Sequence, residues 1–424
     1  MKKVYLLLVV VAILGLLVGG CWGTNKGPVT ITVVNPFNEK TPFNEKDVNR
    51  DNFVNAYKAY ETATGNTVTD LASASSEEWK QSVIDSFKNG TEPDVLFFFT
   101  GADADDLVKS GKLVSISDIR KVYPDYANNM KQSLMPVSAD GRSYAVPVNG
   151  YWEGLFVNKN VLKECGVDLP GADYTWEQFL DDCQKIKDKG YTPIACSLGN
   201  TPHYWFEFVV FNNGSINTHL NLPGSSNDTS QVWAEGLRDL KELYDSGFFP
   251  ENTLDADDSE IFQLMFEDKA AFMIDGHWAI GSFQEAGVDL NDFMVTYVPA
   301  KGEGERTATQ IIGGFSMGYY ITKKAWDDPA KRKACVEFVM AMTTDEVVSA
   351  FAKLSVNALA GGALSPEDVD PLGSSALAMT KGCTGIIGAV QDKLATNARA
   401  TLFADIKDVV TGVMTPEEAI DKLR

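Results

Sequence analysis

Gly314-Phe315-Ser316-Met317-Gly318 has the G-x-S-x-G spacing that lifts a nucleophilic serine onto a strand-to-helix turn. That chemistry needs a helix after the serine and a histidine later in the chain. Here Tyr319-Tyr320-Ile321-Thr322 reads as a strand, and His203, His219 and His277 all precede Ser316, so the match is read as chance. Paired carboxyls a few ångströms apart would suit glycosidic-bond hydrolysis. Among 58 acidic residues the suspects are Glu153, beside Tyr151 and Trp152, and Asp275, near Trp278. Linear sequence does not give their separation, and most such carboxyls bind a hydroxyl or cap a helix instead.

Other reactive types are sparse or wrongly spaced. The histidines lack metal-ligand spacing and no C-x-x-C pair occurs, which argues against structural zinc. There is no G-x-x-x-x-G-K-[ST] loop and no G-x-G-x-x-G after a strand, so no metal or cofactor is expected. Beyond Cys21, the five cysteines are Cys165, Cys183, Cys196, Cys335 and Cys383, an odd number that leaves at least one unpaired within the chain. A Cys165–Cys183 bridge and buried free thiols both fit. The aromatic residues say more: Tyr151-Trp152, Tyr204-Trp205-Phe206, His277-Trp278 and Phe315 cluster where regular patterns break. Any one ring fills a core as readily as a site. Set among Asp, Glu, Asn and Thr, however, flat apolar faces suit a pyranose, which offers a C–H face and a rim of hydroxyls.

These residues must be positioned by strands and helices that the pattern predicts in alternation. Val29–Val34 reads as a strand broken at Asn35-Pro36, and Val95–Phe99 as a strand apolar on both faces. Helices follow from Phe53, Ala56, Tyr57 and Tyr60, closed by Gly65, and from Ser76 to near Gly90. Thr175 caps a helix with Trp176, Phe179, Leu180, Cys183 and Ile186 on one face, closed by Gly190. Another carries Trp233, Leu237, Leu240 and Tyr244 before Gly247. Pro329 opens one with Ala334, Cys335, Phe338, Val339 and Met342 inward, and Thr415-Pro416-Glu417-Glu418 is a capping box. The expected class is α/β with largely parallel sheets.

The 424 residues suggest two or three domains. A formal charge of −21 repels phosphate backbones, so nucleic-acid binding is not expected. Lys2 and Lys3 precede an unbroken apolar run, Val4 to Leu17, the pattern of an export signal. It ends Leu17-Val18-Gly19-Gly20-Cys21, which resembles the bacterial lipoprotein box, with residues 1–20 as signal peptide and Cys21 as the lipidated residue. Residues 21–27 then form a tether. By that resemblance the protein is exported and anchored to the outer face of the bacterial cytoplasmic membrane.

Five blocks in order carry a broader resemblance. Tyr60-Glu61-Thr-Ala-Thr-Gly65 with Val68 comes first, then Gly90-Thr-Glu-Pro93-Asp94-Val95, then Leu107-Val-Lys-Ser-Gly111-Lys-Leu113. Gly141-Arg-Ser-Tyr144-Ala-Val-Pro147 with Val157-Asn158-Lys159 follows, Val157 standing where Tyr is usual. Phe266-Glu-Asp-Lys-Ala270-Ala-Phe-Met273-Ile-Asp-Gly276-His-Trp278 has Asp268 where Gly is usual. Together they resemble the extracellular solute-binding proteins, family 1, of bacterial ABC sugar importers, the maltose-binding-like group. The resemblance implies a two-lobed type II periplasmic-binding fold, with about three hinge crossings and a ligand cleft between the lobes. The first lobe would take 28–148 and 313–354, the second 149–312 and 355–424. It implies a carbohydrate ligand (mono- or oligosaccharide), an ABC permease as membrane partner, a monomer and no enzymatic activity. Rivals are a binder of another small solute (polyamine, metal chelate or phosphodiester) and a secreted glycoside hydrolase. Carried onto this chain, the ligand positions are Asn35, Phe37, Asn38, Phe99, Thr100, Asp103, Tyr151, Glu153, Tyr204, Trp205, Trp278, Gly314 and Phe315, with Trp278 as stacking platform.

Overall fold

The computed structural model describes residues 27–38, 49–148, 150–302, 306–356, 358–361 and 369–423. The signal-peptide run, the lipoprotein box and Cys21 lie outside them. Among the described residues there are eleven strands: β1 (Thr30–Asn35), β2 (Thr67–Ala72), β3 (Val95–Phe99), β4 (Val146–Pro147), β5 (Tyr151–Asn158), β6 (Thr192–Ile194), β7 (Ala270–Gly276), β8 (Phe293–Thr296), β9 (Gln310–Gly314), β10 (Met317–Ile321) and β11 (Gly385–Ile387). They form two sheets. The first runs β2-β1-β3-β10-β4; the second runs β11-β9-β5-β7-β6, with β8 also paired to β5.

The central strands of both sheets are covered on both faces, which explains why β3 and β7 read as nearly continuous apolar runs. In β3, Val95 and Phe97 face a core with Phe53, Tyr60 and Phe338, while Leu96 and Phe98 face one with Trp79, Phe87 and Leu107. In the second sheet Leu155 and Phe272 face Phe179 and Leu237, and the alternate residues Phe156 and Met273 face Phe262 and Phe283. Asp94 ties the first sheet together. Its carboxylate accepts from Thr32 N (2.9 Å) on β1 and from Lys331 Nζ (2.8 Å) on helix Pro329–Met342.

Local signals in the sequence form as expected. Ser76 caps helix Glu77–Asn89 by accepting from Trp79 N, and Thr175 makes a capping box with Gln178. Gly65 closes helix Arg50–Thr64 at φ +74°, a left-handed conformation that costs any Cβ-bearing residue. Asp268, where the resembled motif has Gly, also sits left-handed at φ +54°. A short polar side chain tolerates that conformation, and here its carboxylate accepts from Asn158 Nδ2 at 2.8 Å.

Strand direction differs from the sequence expectation. β1–β2, β1–β3, β6–β7 and β9–β11 are parallel, but β10 is antiparallel to β3 and β4, and β5 is antiparallel to β7, β8 and β9. Parallel neighbours need a long crossover within one sheet. β10 instead enters the first sheet directly from β9 through Phe315-Ser316, and its direction follows from that crossing.

The crossings converge. Gly150 N donates to Val356 O at 2.6 Å, and a Cβ on Gly150 would lie 2.3 Å from Gly314 O, so three passages of the chain touch at one point. Ala358 and Leu359 pack in the core of the first sheet, and Leu359 bridges Met130. That core therefore continues past residue 354, where the resemblance had ended it. Cys165, Cys183, Cys196, Cys335 and Cys383 are all free thiols. Among the described residues no helix is long and apolar enough to cross a membrane.

Candidate ligand-binding cleft

β5 is buried along its whole length and opens the site. Its first residue, Tyr151, pairs with Gly314 across the junction with β9, and its hydroxyl accepts from Ala389 N at 3.1 Å. Gly314 has φ +152°, and a Cβ there would reach within 3.9 Å of the Tyr151 ring. Two residues on, Glu153 pairs with Gly276, the last residue of β7. Trp278 then stands at the N-terminus of helix Ala279–Ala286 with 40% of its surface exposed, against a predominantly buried set of tryptophans. Its ring centroid lies 6.4 Å from those of both Tyr151 and Tyr204, tilted by 32° and 35°. A Cβ on Gly276 would fall 2.3 Å from the indole, so the glycine makes room for this placement. An exposed indole framed by two tyrosines leaves a flat apolar face available for stacking.

Polar groups converge beside these rings. Glu207, on helix His203–Asn212, lies against Glu153, and Gln391 Nε2 donates to Glu207 Oε2 at 2.8 Å. Both carboxyls are buried, Glu153 at 3% and Glu207 at 0% exposed. Two buried carboxyls in contact do not readily ionise together, which favours a proton on one of them. Burial and mutual repulsion push Glu207 well above the usual range. Burial foremost pushes Glu153 up to about 7, even though its bond to Glu207 acts the other way. Asp275 is also raised by burial. Glu153 Oε2, Glu207 Oε1 and Gln391 Oε1 are buried without a hydrogen-bond partner. Behind them, a cavity of about 20 Å³ lies among Tyr204, Trp205, Asp258 and Asp275. Among the described residues no group of three or more His, Cys, Asp and Glu could hold a metal.

Not every expected position faces this cleft. Tyr151, Glu153, Tyr204, Trp278 and Gly314 come together. Trp205 does not join them: it is in the core, stacked on Phe179 at 5.7 Å, because neighbouring helical residues point about 100° apart. Phe37 is buried among Phe53, Phe97 and Phe351. Asn35 is turned toward Asp70, donating at 2.8 Å while accepting from Phe37 N. These two brace the first lobe, and Asn38 hydrogen-bonds to Pro36 O. Thr100 N donates to Ser316 O at 2.7 Å and Thr100 Oγ1 reaches Phe315 O at 3.4 Å, fastening the crossing that carries Phe315. Phe99 lies under the Lys80 ammonium, 4.0 Å from the ring centroid.

Asp103 has a different partner from the one expected. It bonds Arg399 Nη2 at 2.5 Å and Lys80 Nζ at 3.2 Å, and Arg399 also reaches Glu77 at 2.8 Å. Arg399 is on helix Thr396–Val410, whose Leu402, Ile406 and Val409 pack in a core of the second sheet, whereas Asp103, Lys80 and Glu77 are on helices whose Leu107, Trp79 and Val83 pack on the first. Glu207, Gln391 and Arg399 were missed by the sequence reading. The visible signal for Glu207 was a single carboxylate inside the apolar run Tyr204–Phe211; Gln391 and Arg399 had none.

The chain resembles known proteins over most of its length. A "Multiple sugar-binding protein" of Streptococcus mutans is 24% identical over 268 residues, covering 60% of each chain. An "sn-glycerol-3-phosphate-binding periplasmic protein" of Brucella abortus is 23% identical over 246 residues, covering 55% of this chain and 54% of its own. The matches thus span a little over half the length of these curated relatives. A solved structure titled "Chitin oligosaccharide binding protein" superposes with TM-score 0.78 at 20% identity, covering 93% of this chain and 97% of that one. At such identity it speaks for the fold, a type II periplasmic-binding architecture. The family model for bacterial extracellular solute-binding proteins matches residues 55–361, well over half the sequence, and the chain belongs to that family.

Proposed function

We propose that this protein is the substrate-binding lipoprotein of an ABC importer, capturing a mono- or oligosaccharide between its lobes and presenting it to a membrane permease. The observation that carries the carbohydrate reading is the exposed Trp278 indole, framed by Tyr151 and Tyr204 beside unpaired acceptors on Glu153, Glu207 and Gln391. A pyranose face stacks on such rings and its hydroxyls supply the missing donors. The glycerol-phosphate alternative sits poorly here, since a phosphate beside Glu153, Glu207 and Asp275 would meet like charge or force protonation. Glycoside hydrolysis is also disfavoured. Glu153 and Glu207 lie against each other, while that reaction sets its carboxyls about 5 Å or more apart around the scissile bond. On this reading the protein is a monomeric binder performing no covalent chemistry, tethered through Cys21, with the first lobe from 28–148 and 313 to about 361.

Closure by hinge motion about the Gly150–Gly314–Val356 junction would complete the site from both lobes. A thermal-shift screen against a carbohydrate panel tests the reading. Ligand at 100 times Kd should stabilise by about 2.7 kcal/mol. Stabilisation by sn-glycerol-3-phosphate and by no sugar would refute it.

A further inference from the structure

The cleft has acceptors in surplus, and the cations nearest to it hold other carboxylates. Glu153 on β5 and Glu207 on helix His203–Asn212 lie against each other, which favours one proton between them, and the protein directs no donor at the buried oxygens Glu153 Oε2, Glu207 Oε1 and Gln391 Oε1. The groups facing this pair come from every neighbouring element. They are Tyr151 on β5, Tyr204 on the Glu207 helix, Asp275 at the end of β7, and Asp392 next to Gln391. The cations nearby hold other groups: Lys80 and Arg399 with Asp103 and Glu77, Arg399 Nη1 also with Asp392 at 3.6 Å, and Lys393 with His219 O at 2.6 Å. Burial keeps His203 and His277 neutral, lowering them to about 3 and about 4.

A neutral sugar can satisfy lone pairs here but leaves two carboxyls competing for one proton. An ammonium group presents three donors, one positive charge and no acceptor, which matches three orphan acceptors on a paired carboxylate site. The rings of Tyr151, Tyr204 and Trp278 add faces that attract a cation. We infer that the cleft selects a sugar bearing a free primary amine, its ammonium seated among Glu153, Glu207 and Gln391. The inference rests on the carbohydrate reading of this same cleft. The recognised chemistry, a protonated amine, is shared by amino sugars and aliphatic polyamines, which the test separates.

Binding has a proton signature. The seated ammonium favours both carboxylates in ionised form, so the proton they share leaves. Affinity should rise from pH 6 toward 7.5 as that proton becomes easier to remove. It should fall again as an amine of ordinary α-amino basicity, about 7.7–8.0, loses its own charge. Titration calorimetry at pH 6.5, in two buffers of different ionisation enthalpy, should compare one- to three-unit β-1,4-linked glucosamine, its N-acetylated counterparts, the matching glucose series and spermidine. The glucosamine series should bind at least tenfold tighter than both neutral series, with net proton release. Glu207→Gln should bring the three series within about threefold of one another while its melting temperature stays at or above wild type. A neutral series binding as tightly as glucosamine, without proton release, overturns the inference and leaves the carbohydrate reading standing. Binding of spermidine and no sugar does the reverse. Failure of all of them to bind overturns both.

Discussion

Removing Arg399 should shift the balance between closed and open lobes rather than simply destabilise the protein. Its side chain is 1% exposed and joins helix Thr396–Val410 to Asp103 and Glu77 of the other lobe. Deleting one partner of a buried ion pair costs about 3–5 kcal/mol, because the other is left buried and uncompensated. Lys80 remains 3.2 Å from Asp103 in Arg399→Met, so the cost belongs at the low end, about 3 kcal/mol. At 1.4 kcal/mol per factor of ten, that is about a hundredfold in the closed-to-open ratio. Opening lets water reach Asp103, so the mutant escapes the cost by parting the lobes. The expected result is up to a hundredfold weaker ligand affinity by calorimetry and a larger radius of gyration by small-angle scattering. The melting temperature should fall by much less than the ~6–12 °C that 3 kcal/mol would cause in a single rigid body of ~150–250 residues. Asp103→Asn combined with Arg399→Met should show a coupling of about 0.5–3 kcal/mol in affinity. A full melting loss with unchanged scattering and affinity would refute the reasoning and make Arg399 a permanent core contact.

Trp278→Ala should weaken sugar binding by about 2–4 kcal/mol in calorimetry, with a smaller change in melting, since the indole is 40% exposed; an unaltered affinity removes it from the site. Because Glu153 and Glu207 are raised, the folded state holds more protons than the unfolded one between about pH 4.5 and 7. Stability therefore falls as pH rises through that window, by at most about 1.4 kcal/mol per pH unit per proton. Melting curves of Glu207→Gln should accordingly exceed wild type at pH 8 and converge with it near pH 5; a gap that widens toward acid contradicts this. Cys21→Ser should release the protein into the medium or leave it uncleaved, read by fractionation and lipid labelling; wild-type labelling in the mutant defeats the anchor.

Much of the scaffold was legible because its signals are local. The capping residues Ser76, Thr175 and Thr415 and the αL glycine Gly65 act within one turn, so spacing alone locates them. Trp278 was legible too, as a residue following a buried strand and a break. Side-chain direction after a strand was not. Asn35 and Phe37 end β1 as expected, yet Asp70 on the neighbouring strand and the Phe53–Phe97–Phe351 cluster turn them inward. Contacts between distant segments were equally hidden. Asp103 meets Arg399 across 296 residues and Glu207 meets Gln391 across 184, pairings no periodicity encodes.

The place of β10 in the first sheet has a consequence for how the chain is made. β10 lies between β3 and β4, so β3 has no neighbour on that side until Ile321 has been synthesised, about 220 residues after Phe99. At roughly 5–20 residues per second, the ribosome delivers that missing strand about 10–45 s later. During that interval the first lobe exists only as a partial sheet with an open edge, and its long-range closure makes its folding intrinsically slow. Until then the N–H and C=O groups along that side of β3 have no ladder partner, the kind of edge through which partly folded chains pair with one another.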